Sequence, residues 1–131
     1  MPLPLLPEDI RADLAEAALK GFFLVTALWR LDQRQEMALL GQPPRATFFA
    51  WKEGGRAALG RDTLQRICCI MAIWKGLKLL LPEPARALAW MREPNASPLF
   101  EGLAPLDLMT RGRVLDLADV RRLLDAHMGV G

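Results

Sequence analysis

Catalysis needs a positioned nucleophile, a group that can pass a proton, or a set of metal ligands, and this chain offers little of any. It holds one serine, Ser97, one histidine, His127, and no tyrosine. His127 sits close to a glycine-rich end of the chain, where helices fray, and is expected to be a solvated surface residue. Cys68 and Cys69 are neighbours in an apolar run. On a helix their side chains diverge by about 100° and do not match metal-ligand spacing. Both are expected as buried free thiols in a reducing cytoplasm. No HExxH, GxSxG, phosphate-loop or GxGxxG pattern occurs. The reading is a non-enzyme with no metal and no cofactor, whose chemistry, if any, belongs to a partner.

The other chemistry that residue types suggest is charge. Arg45, Lys52, Arg56 and Arg61 lie within 17 residues, with Arg34 just before them. Basic side chains gathered beside helix starts can meet phosphate. One reading sets Arg45, Thr47 and Lys52 in a DNA major groove and Arg56 and Arg61 on phosphates; the other is an ordinary solvated face. The Pro43-Pro44 turn and the pair Phe48 and Phe49 count against DNA, since base readers prefer polar side chains. One of the two phenylalanines is expected in the core, the other exposed or packed in a dimer. A second basic group, Arg111, Arg113, Arg121 and Arg122, stands beside the ridge Leu117, Val120 and Leu124, the mixture of an interface core with a charged rim. The bland alternative is that this ridge covers the most hydrophobic helix of the chain; one helix can do both, leucines inward and arginines outward.

The elements that would hold these groups are all helical, with no strand-like alternation anywhere. Pro7, Glu8 and Asp9 suit a helix start, and a helix should run from there to about Asp32. On it Ile10, Leu14, Ala17, Gly21, Val25 and Leu28 share a face, widened by Phe22, Phe23, Leu24 and Trp29. Short helices follow over Gln33–Gly41 and Arg45–Glu53, joined at Gln42, Pro43 and Pro44, which is a helix-turn-helix outline. Arg61–Leu81 is the most hydrophobic helix, with Asp62 in its first turn. There Leu64, Ile67, Cys68, Met71 and Trp74 trace one face and Ile70, Ile73, Leu77 and Leu80 the next, so it is expected to be central, with a neighbour packed closely at Gly76. Pro82 ends it, and a short helix covers Glu83–Arg92.

With 131 residues, 52% of them hydrophobic and 24% charged, the chain is expected to be one compact unit with more apolar surface than one core hides. That surplus points to a partner or to self-association. A formal charge of +2 neither demands nor excludes nucleic acid. The start MPLPLLPEDIR lacks the basic region of a secretory leader, and the apolar run Ile67–Trp74 is too short for a bilayer. The expected setting is cytoplasmic, with no membrane contact.

The last third of the chain carries the most specific pattern. Trp90 and Met91 precede Pro94-Asn95; Pro98 keeps the next segment from being helical; Pro105, Leu106, Asp107, Leu108 and Met109 open a short helix that Gly112 stops; Val120, Leu123 and Leu124 belong to a final amphipathic helix. In order and spacing this resembles the toxin-binding domain of the MbcA/ParS/Xre antitoxin family. Thr47, Trp51 and Gly54 fall, more loosely, where DNA-binding domains of the Xre type carry a small polar residue, a tryptophan and a glycine.

The resemblance implies an all-α antitoxin of a type II toxin-antitoxin pair: residues 1–82 a helix-turn-helix-like region that binds promoter DNA as a homodimer within a larger complex, residues 83–131 a toxin-binding domain. Its partner would be a RES-domain toxin that consumes or transfers NAD, neutralised by occlusion of its active site. Arg111, Arg113, Arg121 and Arg122, with the C-terminal tail, are then the toxin-facing candidates, while Asp107 is expected to cap or fix its turn. A DNA-binding regulator with no toxin, and a helical adaptor that binds only protein, are the competing readings.

Overall fold

The computed structural model describes residues 8–55 and 57–129. Among them it is all-α: α1 Glu8–Leu28, α2 Gln33–Leu39, α3 Arg45–Glu53, α4 Arg61–Leu80, α5 Pro84–Arg92, α6 Pro105–Met109 and α7 Val114–His127, with a 3₁₀ turn, Pro98–Phe100, before α6. The helix start read at Pro7 lies outside the described residues.

α4 is the axis of the molecule, because a helix apolar over most of its circumference must be covered from several sides. Ile67, Cys69, Ile70, Ile73, Gly76 and Leu77 are buried along it, with α7 as its most extensive neighbour and α1 next. Near its start Arg66 donates Nη2 to the carbonyl of Gly112 at 2.8 Å, just before α7 begins. Near its end Gly76 lies against Leu124 and Met128. α4 and α7 therefore run side by side in the same direction. A Cβ on Gly76 would stand 3.4 Å from that of Leu124, the close packing expected at that glycine. The faces expected on α4 are shifted. Leu64 and Cys68 are exposed, and Met71 and Trp74 only half-buried. Where nearly every side is apolar, periodicity does not choose the inner one; the positions of α1 and α7 do.

α1 also buries a different face from the one expected. Ala15, Leu19, Phe22, Val25, Thr26 and Trp29 go inward, whereas Leu14, Ala17 and Leu28 are exposed; the side chain of Ile10 lies outside the described residues. The aromatic rings decide it, since Phe22 and Trp29 hide more apolar area than leucines would. Thr26 is fully buried on that face because its hydroxyl donates to Glu36 Oε2 at 2.6 Å. Glu36 in turn, 4% exposed, accepts from Lys52 Nζ at 2.7 Å. One buried carboxylate thus ties α1, α2 and α3 together.

α1 ends at Leu28 rather than near Asp32. Arg30 takes a left-handed φ of 58°, and Arg92 Nη2 from α5 donates to the carbonyls of Trp29 and Arg30 at 2.7 and 3.0 Å, covering the open helix end. Asp32 instead caps α2, its carboxylate accepting from the Gln35 amide while the Gln35 side chain accepts from the Asp32 amide. A single connected core runs from Leu19 on α1 through Phe48 and Ile70 to Met91, Phe100, Met109, Leu117 and Leu124.

Candidate partner-binding surface

The C-terminal third is stiffened before it presents anything. Asn95 Oδ1 accepts from the Ser97 amide at 2.8 Å, and the Asn95 amide donates to the carbonyl of Leu103 at 3.1 Å, closing the loop between α5 and α6. Trp90 meets Phe100 edge-to-face with ring centres 6.0 Å apart. Pro105, in the first turn of α6, is buried with Leu106, Leu108 and Met109, and the Thr110 hydroxyl donates back to the Leu106 carbonyl at 2.8 Å to finish the helix. Asp107 does not cap it: the capping position is Ala104, without a side-chain bond, and Asp107 stands exposed in the first turn, where it meets only the helix dipole. Gly112 turns the chain into α7 with a φ of +94°, a conformation that favours glycine.

All four candidate arginines on this unit reach water. Arg111 and Arg113 converge on Asp116, itself 4% exposed, with Arg113 bonding both carboxylate oxygens at 2.9 Å and Arg111 Nε 3.6 Å away. The hydrogen bond first, and the charge second, raise the Arg113 guanidinium above its ordinary pKa. Arg122 pairs with Asp119, and Arg121 lies 4.0 Å from Asp125. Arg121 also reaches the Cys69 thiol, whose pKa is raised by burial and partly lowered again by that guanidinium.

The apolar ridge expected beside these arginines is not free. Leu117 and Val120 are fully buried and Leu124 nearly so, so the ridge covers the core and does not face outward with the arginines. Leu115 takes its place: it is 68% exposed and, seven residues before Arg122, shares the outer face of α7. Sequence reading passed over Leu115 because it lies off the ridge, and that displacement was itself the available signal.

The basic residues of the first half are less gathered. Arg45 is exposed, its guanidinium 5.8 Å from the centre of the Phe49 ring. At 100° per residue Thr47 points about 200° away from it and is half-buried. Lys52 is spent on Glu36 and lies 5.6 Å from the ring centres of both Phe23 and Phe48. Arg61 opens α4 and is exposed; Arg56 lies outside the described residues. Phe48 is core and Phe49 exposed, the division expected of the pair. His127 is exposed, Nδ1 2.8 Å from the Leu123 carbonyl. Cys69 is buried, but Cys68 is exposed, because one position along α4 turns the side chain out of the core. Among the described residues no group of His, Cys, Asp or Glu is arranged to hold a metal ion, and no helix is long and apolar enough to cross a membrane.

Residues 77–129 match the C-terminal toxin-binding domain of the antitoxins Xre, MbcA and ParS. Over that span the chain carries the toxin-binding domain of the Xre/MbcA/ParS antitoxins. The matched span starts in the last turn of α4 and takes in α5, the 3₁₀ turn, α6 and α7, so it contains the stiffened loop, Gly112 and all four arginines. The chain is also similar to the uncharacterized protein y4oB of Sinorhizobium fredii, 43% identical over 113 residues that cover 86% of this chain and 85% of that protein. The likeness to y4oB reaches well beyond the toxin-binding domain, into the N-terminal helices. Toxin binding in a toxin-antitoxin system is therefore the work of this C-terminal domain.

Proposed function

We propose that the chain neutralises a RES-domain toxin, an NAD-consuming or ADP-ribosylating enzyme, by laying the outer face of α7 and the Arg111–Arg113 turn over the toxin's active site. The observation that carries this reading is the division of α7: Leu117, Val120 and Leu124 are spent on the core, and Leu115, Arg121 and Arg122 are left facing outward on a toxin-binding domain. Inhibition of this kind needs no reaction by the antitoxin. Covering a cleft suffices, and arginines are suited to its rim because a planar guanidinium can meet carboxylates in pairs. Residues 83–131 do this, while residues 1–82 hold the chain as a homodimer on its own promoter in the cytoplasm, making it an autorepressor of a type II pair. Arg34, Arg45 and Arg61, exposed at or near the starts of α2, α3 and α4, are the phosphate contacts. Lys52, bound to Glu36, supports α3 rather than reading bases.

Co-expression tests the reading. The reading predicts that a RES-domain protein is encoded beside this chain, that it arrests growth alone, and that the pair grows and co-purifies; a toxin that stays lethal and unbound removes the proposal. The alternative, a regulator with no toxin, predicts promoter binding with steep salt dependence and no such neighbour.

A further inference from the structure

Among the described residues Arg66 is the arginine that is buried: it is 7% exposed, in the second turn of α4, and precedes the matched span 77–129. Its guanidinium brings three parts of the chain together. Nε donates to Asp62 Oδ2 at 2.7 Å within α4, and Nη2 donates to the Gly112 carbonyl at 2.8 Å. The backbone of Gly41, just past α2, comes so near that a Cβ there would stand 2.9 Å from Nε. The bond to Gly112 falls between two of the candidate arginines. Thr110 and the Arg111 amide bond back into α6, and the Arg113 side chain bonds forward to Asp116 in α7. Among the described residues Arg66 is the side chain that hydrogen-bonds this turn to the rest of the molecule. Glycine constrains its own backbone least, so the bond to its carbonyl fixes the peptide plane between Arg111 and Arg113.

Stability alone does not account for the arginine. Nη1 is buried without a partner, and burying a guanidinium with a donor unmatched costs free energy that a methionine there would not. What the guanidinium supplies is a rigid fork, donors at fixed angles that hold a carboxylate of α4 and a carbonyl of the turn in one arrangement. We infer that Arg66 is a positioning residue for toxin binding: buried, it does not touch the toxin itself, and by fixing Gly112 on α4 it sets where Arg111 and Arg113 stand. The domain that meets the toxin is thus completed by a residue outside it, and the close approach of Gly41 makes the seat of that residue depend on the end of α2. The inference rests on the reading of the Arg111–Arg113 turn as toxin-facing.

Two measurements on the full chain test it. Arg66→Met, which keeps an unbranched apolar stem in the buried site, retains the helical circular dichroism of the wild type. Without toxin, its amides over residues 110–116 exchange with deuterium about tenfold faster than in the wild type, while those of α1 are unchanged. Arg66→Lys, which reaches Asp62 or the Gly112 carbonyl but not both, gives the same change to a smaller degree. Calorimetric titration with the purified RES-domain protein then separates positioning from bulk stability. Affinity falls about tenfold in Arg66→Met. Arg113→Ala lowers affinity in the wild type but adds less than about twofold in Arg66→Met, whereas Arg122→Glu lowers it equally in both. A folded Arg66→Met or Arg66→Lys whose turn is as protected as that of the wild type overturns the inference, as do losses that multiply for Arg113 as they do for Arg122. If the wild type binds no RES-domain protein, the proposed function falls, and exchange at residues 110–116 still decides whether Arg66 holds the turn.

Discussion

Cys68 and Cys69 differ by one position and by everything that matters to a thiol. Cys68 is exposed and Cys69 buried against Arg121, so a thiol reagent should modify one cysteine per native chain rapidly, and Cys68→Ser should abolish that fast phase. The buried thiol also has a pH signature. Its pKa is raised above the ordinary 9.0, so above pH 9 the unfolded chain gives up a proton that the folded chain keeps. Stability is then fully present below about pH 9 and falls as pH rises from there through the folded value. Denaturant titrations at pH 7 and pH 10 should show a smaller loss for Cys69→Ala than for the wild type. Asp116 makes a second test. Asp116→Ala releases Arg111 and Arg113 from their shared carboxylate, but both guanidinium groups are already in water, so the cost is that of lost hydrogen bonds, about 1–2 kcal/mol in unfolding titrations, rather than that of a stranded charge.

At the scale of the helices, Lys52 separates two roles for one residue. If it holds α3 through Glu36, Lys52→Met leaves a carboxylate buried without its cation and costs about 3 kcal/mol in unfolding free energy, whereas Arg45→Ala, exposed, costs less than about 0.5 kcal/mol. The helices themselves were legible in the sequence because prolines, glycines and the spacing of apolar residues are local signals. Pro82, Pro105 and Gly112 bound their elements where they were expected to. The inner faces of α1 and α4 were less legible, since both helices are apolar on more than one side and burial was decided by Phe22, Trp29 and the Thr26–Glu36 bond. Asp32 was read as the end of one helix when its bond with Gln35 begins the next. The Asp-x-x-Gln spacing was present, but Arg92, which closes α1, comes from more than 60 residues away.

For the molecule as a whole, one continuous core joins the N-terminal helices to the toxin-binding domain, so α4 serves both as the floor under α7 and as the wall beside α1. In the proposed reading the outer face of α7 is the one turned toward the toxin. The candidate arginines were read from their place beside the apolar ridge, and all four are exposed; Leu115 was not read, because only the packing of α7 on α4 shows which leucine remains outside. The central claim is that the outer face of α7 binds the toxin. The most direct measurement is calorimetric titration of the purified RES-domain protein with wild type, the double variant Leu115→Asp/Arg122→Glu, and Leu24→Asp. A loss of affinity of about 100-fold or more for the double variant, with Leu24→Asp binding like wild type, is the predicted result. Unchanged affinity in a folded double variant would contradict it.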